Sequence, residues 1–303
     1  MQKHYYSYNQ YLRKTFGVRT QRLSLDAGFS CPNIDGTLSS QGCTFCNNKA
    51  FSRYTSQKKP IKQQIEESMQ FTRKRYKAKK FIAYFQSFTN TYADLQTLCQ
   101  KYNQIKGFED IVGISVSTRP DCINKEKLDL LAKFNKDYKV YIEYGLQSIH
   151  DKTLKKINRQ HNFKTFTDAL KLTKQYENIY PAAHIILGLP GETKKDMLTT
   201  AKTLAKMPLW GLKIHCLHVV KDTALEQEYY QNQLKLLSQK EYLNILIDFL
   251  KLIPKDFVIL RLVSDANPSQ LIAPKWLNQK SKVLQKLDKR LEKENIWQGK
   301  LVG

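Results

Sequence analysis

From about residue 20 to residue 220, short runs rich in apolar and β-branched residues alternate with longer runs whose apolar positions recur three and four residues apart. The first pattern is typical of buried strands and the second of amphipathic helices. This alternation indicates βα units and a parallel sheet. Strands are predicted near residues 20–26, 81–86, 111–117, 139–146, 183–188 and 212–219, and helices near residues 61–76, 93–104, 125–135, 163–177 and 193–206.

Six predicted strands are fewer than the eight that close a complete βα barrel. The predicted fold class is therefore α/β, with an open, partial (β/α)6 TIM-like barrel over residues 20–220 that follows a basic N-terminal extension, residues 1–19. Residues 221–303 contain a helix near 238–252, a strand-like run at 257–263 and a charged helix near 279–295. Because no linker rich in Pro, Gly or Ser intervenes, this C-terminal α/β extension is expected to pack on the barrel.

The chain is strongly basic, with 50 Lys and Arg against 27 Asp and Glu and a formal charge of +23. A field of this sign attracts polyanions, so nucleic acid is a candidate partner; a basic protein without such a partner is the alternative. Residues 49–80 contain eleven Lys and Arg against only Glu66 and Glu67, and residues 1–25 contain five and no acidic residue. Charge runs of this kind are also typical of a solvated helix face.

Three of the six cysteines lie within sixteen residues, unlike the even spread of a secreted disulfide framework. This crowding indicates metal ligation in a reducing compartment. The N-terminus, MQKHYYSYNQYLRK, has no apolar signal core, and no run approaches the roughly eighteen apolar residues of a membrane span. We therefore expect a cytoplasmic protein with no membrane partner.

The segment CPNIDGTLSSQGCTFCN separates Cys31 by eleven residues from a C-x-x-C pair, Cys43 and Cys46. A C-x-x-C turn can present two thiolates to one metal centre, and Gly42 allows the chain to bend there. A [4Fe-4S] cluster on three thiolates keeps one iron open, whereas a structural zinc site is normally closed by a fourth Cys or His. No such fourth ligand lies nearby in the sequence. The pattern favours a [4Fe-4S] cluster on these three cysteines, with zinc as the alternative.

Three cysteines after a first barrel strand, with an aromatic residue before the last of them, resemble the cluster loop of the radical S-adenosylmethionine (SAM) superfamily. The long first spacing resembles the subgroup related to the elongator catalytic subunit and, more closely, the bacterial family called YhcC or YtqA, also named MnmL in some bacteria. The resemblance covers almost the whole chain. It rests on CPNIDGTLSSQGCTFCN (31–47), YFQSFTNTY (84–92), STRPDC (117–122), EYGLQS (143–148), NRQH (158–161), ILGLPGET (186–193), KIHCLHV (213–219) and LIAPKW (271–276).

This resemblance implies a barrel of the radical SAM type with two cofactors, a [4Fe-4S] cluster and SAM. In that family one electron passes into the cluster, and SAM is cleaved to methionine and a 5'-deoxyadenosyl radical that abstracts hydrogen from an unactivated carbon. The cofactors carry the hard chemistry, and the barrel positions them and excludes water. Because the sequence contains no second cysteine cluster, an external electron donor such as flavodoxin or ferredoxin is also implied.

The resemblance assigns SAM contacts to polar residues at the predicted strand ends, where barrel enzymes carry their active sites. Gln86, Thr89 and Asn90 would hold the methionine amino group, and Ser117 in STRPDC is a further cofactor-binding candidate. The alternative for the first three is that they cap the strand and begin the helix that follows.

Later strand ends supply the remaining cofactor candidates. Gln147 is a polar residue in an apolar run, and the resemblance implies that it binds the ribose of SAM. Arg159 would pair with the methionine carboxylate through its planar fork, unless it is a surface charge. The bend at Gly188 and Pro190 would let the backbone approach adenine, or would be a tight turn with Thr193 as the helix cap.

The sixth predicted strand contains two histidines three residues apart, His215 and His218, so they point to opposite faces and are not expected to share a metal. Lys213 and His215 are two apart and share a face. With His184 on the fifth strand they are predicted to point into the barrel as the catalytic, substrate-site residues.

Members of the resembled family are linked to the wobble uridine of tRNA, where a 5-carboxymethylaminomethyl group is converted to aminomethyl. A charge of +23 suits a phosphate-rich substrate. The hypothesis is therefore a radical SAM enzyme that modifies tRNA. A radical SAM enzyme acting on a small metabolite or a protein, and a zinc-stabilised RNA-binding module without catalysis, are the two alternatives.

The basic runs supply candidate tRNA contacts. The first set is predicted at the rim between the cluster loop and the second strand: Arg73, Lys74, Arg75, Lys77, Lys79 and Lys80. Because this run leads directly into a strand, it lies at the end opposite the catalytic mouth unless the preceding helix reaches round. If the run does lie at that opposite end, the predicted phosphate contacts are instead Arg13, Lys14, Arg19, Arg22, Lys49, Arg53, Lys58 and Lys59.

Overall fold

The computed structural model describes residues 4–47 and 59–302. Seven parallel strands form one sheet, curled into a half-barrel, in the order β1-β2-β3-β4-β5-β6-β8. Its strands are β1 (Thr20–Leu25), β2 (Lys80–Phe85), β3 (Ile111–Thr118), β4 (Lys139–Gln147), β5 (Ile179–Leu187), β6 (Gly211–Cys216) and β8 (Val258–Arg261). Two short strands, β7 (Val219–Val220) and β9 (Leu271–Ala273), pair antiparallel beside this sheet.

Helices follow most strands and cover the outer face of the sheet, as expected for βα units. They are α1 (Tyr8–Phe16), α2 (Ile61–Tyr76), α3 (Leu95–Tyr102), α4 (Lys125–Ala132), α5 (Asp151–Lys156), α6 (Phe163–Thr173), α7 (Lys194–Leu204), α8 (Ala224–Tyr230), α9 (Gln239–Lys251) and α10 (Lys280–Lys293). Reciprocal capping boxes start α1, α7 and α9 at Ser7, Thr193 and Ser238. Within the described ranges, no helix is long and apolar enough to cross a membrane.

The partial α/β barrel predicted from the sequence is confirmed, with differences at three strands. β5 begins at Ile179 rather than at residue 183, because the chain already pairs with β4 from there. β6 ends at Cys216 rather than at residue 219, since the Cys216 backbone N–H donates to Ser264 Oγ (2.9 Å) and the chain then leaves the sheet. The strand-like run in the tail pairs with β6 and becomes a seventh strand, so six was one too few.

The amino-terminal end of the half-barrel is closed by α1. Leu12 packs in a cluster with Ile82 and Tyr141, which lie near the starts of β2 and β4. The Tyr11 ring meets Trp210 edge-on at 4.8 Å, and its hydroxyl lies 3.1 Å from that of Tyr141. Aromatic contacts of this kind bury large apolar areas and fix geometry. The opening of the barrel is therefore left at the carboxyl ends of the strands.

The prediction that the basic run from Arg73 to Lys80 lies at the rim beside the cluster loop is wrong. Arg73 lies in the last turn of α2 and Lys80 begins β2, and both pair with Asp110 just before β3 (2.6 and 3.0 Å). The run from Arg73 to Lys80 thus lies at the amino end of the sheet, away from the catalytic mouth, as the strand polarity requires.

The second set of predicted phosphate contacts does not form one surface at the catalytic mouth either. Arg13 and Lys14 are exposed on α1, and Arg19 immediately precedes β1, so all three are also at the amino end. Arg22 is not a phosphate contact on the surface, because its Nη1 forms a 2.7 Å ion pair with Glu143 inside the barrel. Lys59 is paired with Glu67 (2.8 Å). The predictions for Lys49, Arg53 and Lys58 lie outside the described residues.

Candidate active site

The cluster loop follows β1 and folds back on itself around its cysteines. The Gly42 N–H donates to the Asn33 carbonyl (2.7 Å), with Gly42 in the left-handed region at φ 71°, where glycine is favoured. The Cys46 N–H donates to the Cys43 carbonyl (2.9 Å), which closes the C-x-x-C turn. The predicted bend at Gly42 is therefore present, and it turns the pair back toward Cys31.

The three cysteines of this loop have free thiols close enough to interact electrostatically. Cys31 and Cys43 are buried and Cys46 is half-buried. Burial and the neighbouring Cys43 and Cys31 thiolates raise the pKa of Cys46, because negative charges would be crowded in a poorly solvated place. A bound cation relieves that repulsion. The donor set therefore fits an iron–sulfur cluster, whose ligands are thiolates.

Hydrogen-bond donors surround the Cys43 sulfur. Asn33 Nδ2 donates to it (3.3 Å) and also to the Asn158 carbonyl (2.7 Å). Arg159 is buried, not a surface charge: its Nη1 lies 3.5 Å from the same sulfur, and its Nη2 donates to the Gly145 carbonyl at the end of β4 (2.5 Å). The NRQH segment thereby fastens the cluster loop to β4 and brings a fixed positive charge to a predicted cluster ligand.

A second buried arginine supports this arrangement. Arg119, in the STRPDC segment after β3, forms a bidentate pair with Asp121 (2.9 and 2.7 Å) and donates to the Arg159 carbonyl (2.9 Å). Sequence reasoning assigned no role to Arg119 or to Asn33. An Arg-x-Asp spacing that permits a local bidentate pair was the available signal for Arg119.

A cavity of about 410 Å³ opens at the carboxyl ends of the strands. Seven of the predicted site residues line it together, drawn from the cluster loop and from strands β2 to β6: Cys46, Gln86, Ser117, Gln147, His184, Lys213 and His215. Its lining residues do not include Cys31, Cys43, Arg159, Thr89, Asn90, Gly188 or Pro190. The cavity joins the cluster loop on one side to the predicted substrate residues on the other.

The loop after β2 orients its polar residues in two directions. Gln86 faces the cavity and donates to Ser24 Oγ (2.9 Å). Asn90 is buried, and its side-chain Nδ2 donates to the Ser87 and Ser117 carbonyls (2.6 and 3.0 Å). The Thr89 backbone N–H donates to the Ser30 carbonyl. The side-chain amide hydrogens of Asn90 are thus already used to tie the loop to β3. The predicted contact of Gln86, Thr89 and Asn90 with SAM stays a prediction.

The bend after β5 has a packing reason. Gly188 has φ +88°, and a Cβ there would lie 2.9 Å from Leu237 Cδ1, so only glycine fits without a shift. Thr193 caps α7 through its hydroxyl. The tight turn with a Thr193 cap is therefore present, while the contact of Gly188 and Pro190 with adenine stays a prediction.

A buried carboxylate, Glu143 on β4, lies at the centre of the barrel below the cavity. It accepts from Arg22 Nη1 (2.7 Å), Ser115 Oγ (2.9 Å) and Lys213 Nζ (3.1 Å), and its second oxygen also lies 2.7 Å from His184 Nε2. Although burial opposes ionisation, the Lys213 and Arg22 charges hold its pKa well below the usual range.

Glu143 was missed by sequence reasoning even though it begins the EYGLQS segment. The available signal was a Glu in the middle of an apolar strand, because a buried carboxylate needs several partners. Burial also lowers the pKa of His184 to about 4 and that of Lys213 to about 7, so desolvation favours the neutral forms of both bases.

The sequence matches two family models. The model of the Radical SAM superfamily matches residues 39–204, and that of the Radical_SAM C-terminal domain matches residues 209–293. YtqA of Bacillus subtilis (strain 168) is 36% identical over 300 residues, which cover 99% of this chain and 93% of YtqA. YhcC of Escherichia coli (strain K12) is 33% identical over 293 residues, covering 96% of this chain and 93% of YhcC.

Among solved structures, the archaeal Elp3 of Methanocaldococcus infernus with an N-terminal deletion superimposes with a TM-score of 0.69 and 15% identity. The superposition covers 92% of this chain but 64% of that one, and at this identity it supports the fold alone. The superfamily model covers more than half of the sequence, and YtqA aligns along nearly all of it. The chain therefore belongs to the radical SAM superfamily and is an enzyme whose cofactors are a [4Fe-4S] cluster and SAM.

Proposed function

We propose that this radical SAM enzyme modifies tRNA at the wobble uridine and converts a 5-carboxymethylaminomethyl group to aminomethyl. The observation that carries the tRNA assignment is a set of exposed lysines on segments that follow the strands, at the same end as the cavity. These carboxyl-end lysines are Lys152, Lys155, Lys156, Lys195 and Lys221. None has an ion-pair partner in the described part of the chain.

The location of these lysines suits a substrate whose reacting base enters the cavity. The Thr44 N–H donates to the Ile157 carbonyl next to α5 (3.1 Å), and Asn47 Nδ2 donates to the Lys221 carbonyl (2.8 Å), so the lysines border the cluster loop itself. An enzyme that acts on a base extrudes it from its stack into a pocket, while the flanking phosphates remain at the mouth. Lysines at the mouth would neutralise those phosphates.

Sequence similarity supports the choice of tRNA. A protein named tRNA uridine(34) acetyltransferase, from Dehalococcoides mccartyi, is 26% identical over 157 residues, which cover 51% of this chain and 33% of that protein. That name concerns the relative. For this chain the shared barrel and the basic mouth make uridine in tRNA the substrate class we favour over a small metabolite or a protein.

The cofactors would occupy the cavity and the loop beside it. We assign the cluster to Cys31, Cys43 and Cys46, and SAM to the polar side chains that face them, Gln86, Ser117 and Gln147. When bound, the cluster and SAM supply the radical chemistry that removes a hydrogen atom from carbon. The chain's own residues hold the base, exclude water and keep the central charges fixed. Flavodoxin or ferredoxin is the proposed electron donor.

Charge reversal tests the tRNA assignment. The triple variant Lys155→Glu, Lys156→Glu and Lys221→Glu should bind transcript tRNA at least tenfold more weakly, because it loses phosphate contacts and gains repulsion. Each lost contact should also reduce the slope of log K against log salt by about one. Gel shifts at several salt concentrations measure both. The matched control reverses three basic residues at the amino end, Lys74, Arg75 and Lys77, and should leave affinity and slope unchanged.

Two results would contradict this proposal. Salt-independent or absent tRNA binding by the wild type would favour a small substrate. Loss of binding in the amino-end control, with the carboxyl-end variant unaffected, would move the RNA to the other end of the barrel. Nucleoside analysis of tRNA from a deletion strain then identifies the reaction: 5-carboxymethylaminomethyluridine should accumulate and the aminomethyl form should disappear.

If Arg159 pairs with the methionine carboxylate of SAM as the resemblance implies, Arg159→Ala should weaken SAM binding about tenfold or more while the cluster stays bound, because no cysteine ligand is removed. Because Arg159 Nη1 also lies 3.5 Å from the Cys43 sulfur, the variant should reduce at a more negative potential than the wild type. Calorimetric titration with SAM and a redox titration followed by electron paramagnetic resonance measure the two effects.

Arg159→Lys separates the two roles of this residue. It keeps the positive charge but lacks the planar fork, so the potential should stay near that of the wild type while SAM affinity falls. Unchanged SAM affinity in Arg159→Ala would limit this residue to fastening the loop through Gly145.

A further inference from the structure

Three basic side chains lie side by side across adjacent strands at the far wall of the cavity. His184 on β5 is the register partner of Lys213 on β6, and Lys213 is the register partner of Arg261 on β8. Partners across a sheet are about 4.8 Å apart between strands and point to the same face. All three line the cavity. We call them the basic row.

Positive charge exceeds negative charge around this row. Lys213 shares the single carboxylate of Glu143 with Arg22, and Arg261 shares that of Asp265 with Lys280. When Lys213 is in its ammonium form, four cations face two carboxylates, a formal excess of +2. The Lys213 side chain is buried and that of Arg261 is only partly exposed, so solvent screens the charge of the row incompletely, and an anionic ligand would offset it.

The row and its neighbour His215 keep hydrogen-bond donors for a ligand. Lys213 Nζ uses two of its three donors, on Tyr84 Oη (2.7 Å) and Glu143 (3.1 Å). Arg261 uses Nη2 on Asp265 (2.7 Å), and the described residues offer its guanidinium no other ion pair. His215 follows on the same face of β6, with its ring 5.7 Å from that of His184 and no hydrogen-bond partner in the described part of the chain.

We propose that Lys213 and Arg261, with His215 beside them, bind the carboxylate at the end of the substrate's 5-substituent. This inference rests on the proposed function and names Arg261 as the determinant of side-chain specificity. A uridine that enters base-first would put its 5-substituent deepest in the cavity and leave its phosphates at the carboxyl-end lysines. A carboxylate therefore fits the row better than a phosphate does.

The ionisation of Lys213 gives this site a pH dependence. The charged and titratable groups facing it are Glu143, Asp265, Arg22, Arg261, His184, His215 and the Tyr84 hydroxyl. Burial lowers its pKa to about 7 although Glu143 opposes the shift. Only the ammonium form attracts a carboxylate, so affinity for the carboxylate should fall as pH rises above about 7.

The test compares two anticodon stem-loop RNAs that differ only at the wobble uridine. One carries 5-carboxymethylaminomethyluridine, and the other carries the same nucleoside with its carboxylate replaced by a primary amide. Binding to reconstituted holoenzyme is measured by fluorescence anisotropy. Wild type should prefer the acid by about tenfold to a hundredfold, the range of charge-assisted hydrogen bonds, and Arg261→Gln should lose most of that preference. Arg261→Lys should restore part of it.

Lys280→Gln is the matched control. Lys280 also pairs with Asp265, but it does not line the cavity, so this variant removes a partner of Asp265 without removing a cation of the row. It should keep the preference for the acid. Equal loss in Lys280→Gln and Arg261→Gln would mean that Arg261 acts only through Asp265, and would overturn the assignment.

A second measurement separates failure of this inference from failure of the tRNA assignment. Thermal unfolding of the holoenzyme is followed with N-methylglycine, its amide or inorganic phosphate. Stabilisation by N-methylglycine alone, in wild type and Lys280→Gln but not in Arg261→Gln, supports the carboxylate site even if neither RNA binds. Stabilisation by phosphate alone, or by none of the three compounds, would overturn the carboxylate site. Equal binding of the acid and amide RNAs would also overturn it, but would leave the tRNA assignment intact.

Discussion

Replacing Cys31, Cys43 or Cys46 with alanine is expected to abolish both iron retention and SAM cleavage. Each of the three proposed ligands would hold a different iron of the cluster, so losing one would leave two thiolates for four irons and open the cluster to solvent. Iron and sulfide analysis after anaerobic reconstitution, the visible absorption of the cluster, and production of 5'-deoxyadenosine measure the result. We expect background levels of 5'-deoxyadenosine in all three variants.

Cys99→Ala is the control for this prediction. Cys99 lies on α3, where its sulfur accepts a hydrogen bond from Asn103 Nδ2 (3.2 Å), and it is remote in sequence from the cluster loop. Its replacement should leave full iron content and activity. A brown, active protein lacking any one of the three loop cysteines would show that the cluster has another ligand set.

Most of the sheet could be predicted because its information is local. A strand buried on both faces reads as an apolar run, and β2 and β4 have buried residues at nearly every position. The seventh strand could not be assigned in the same way. Its apolar run predicted a strand, but pairing with β6 is a tertiary event that brings residue 258 beside residue 211.

The cysteine spacing was equally local, which is why the cluster loop could be predicted while its surroundings could not. Polar residues after a strand can face a ligand or the backbone, and the sequence does not distinguish Gln86, which faces the cavity, from Asn90, which binds two carbonyls. The donors to the Cys43 sulfur come from positions 33 and 159, so only the folded chain brings them together.

Charge was visible in the sequence, but the face on which it lies was not. The densest basic run leads into β2, and strand polarity puts the beginning of that strand at the end away from the cavity. In the sequence Arg22 is one more basic residue near the N-terminus. In the structure its side chain points into the barrel from β1 and pairs with Glu143. Burial therefore removes it from any phosphate-binding surface.

Glu143→Gln is expected to destabilise the protein by about 3–5 kcal/mol, the cost of removing one partner from a buried ion pair. The side chain keeps its shape but loses its charge, so the Arg22 guanidinium remains buried without a counter-charge and Lys213 can avoid the same penalty only by losing its proton. Urea unfolding at pH 7 measures the change. Asp168→Asn breaks the exposed Lys164–Asp168 pair and should hardly alter stability, because solvent screens that pair.

The acid branch of the stability curve gives an independent check of the same prediction. The pKa of Glu143 is held well below that of an unfolded glutamate, about 4.3, so its contribution is fully present above that pH and is lost as pH falls toward the folded value. Wild type should therefore lose stability more steeply below about pH 4.3 than Glu143→Gln does.

A double-mutant cycle tests the same pairing. The double variant Glu143→Gln with Arg22→Gln should lose less free energy of unfolding than the sum of the two single changes, since one uncompensated cation is removed with the carboxylate. Additive losses and parallel acid branches would mean that Glu143 is not the counter-charge at the barrel centre.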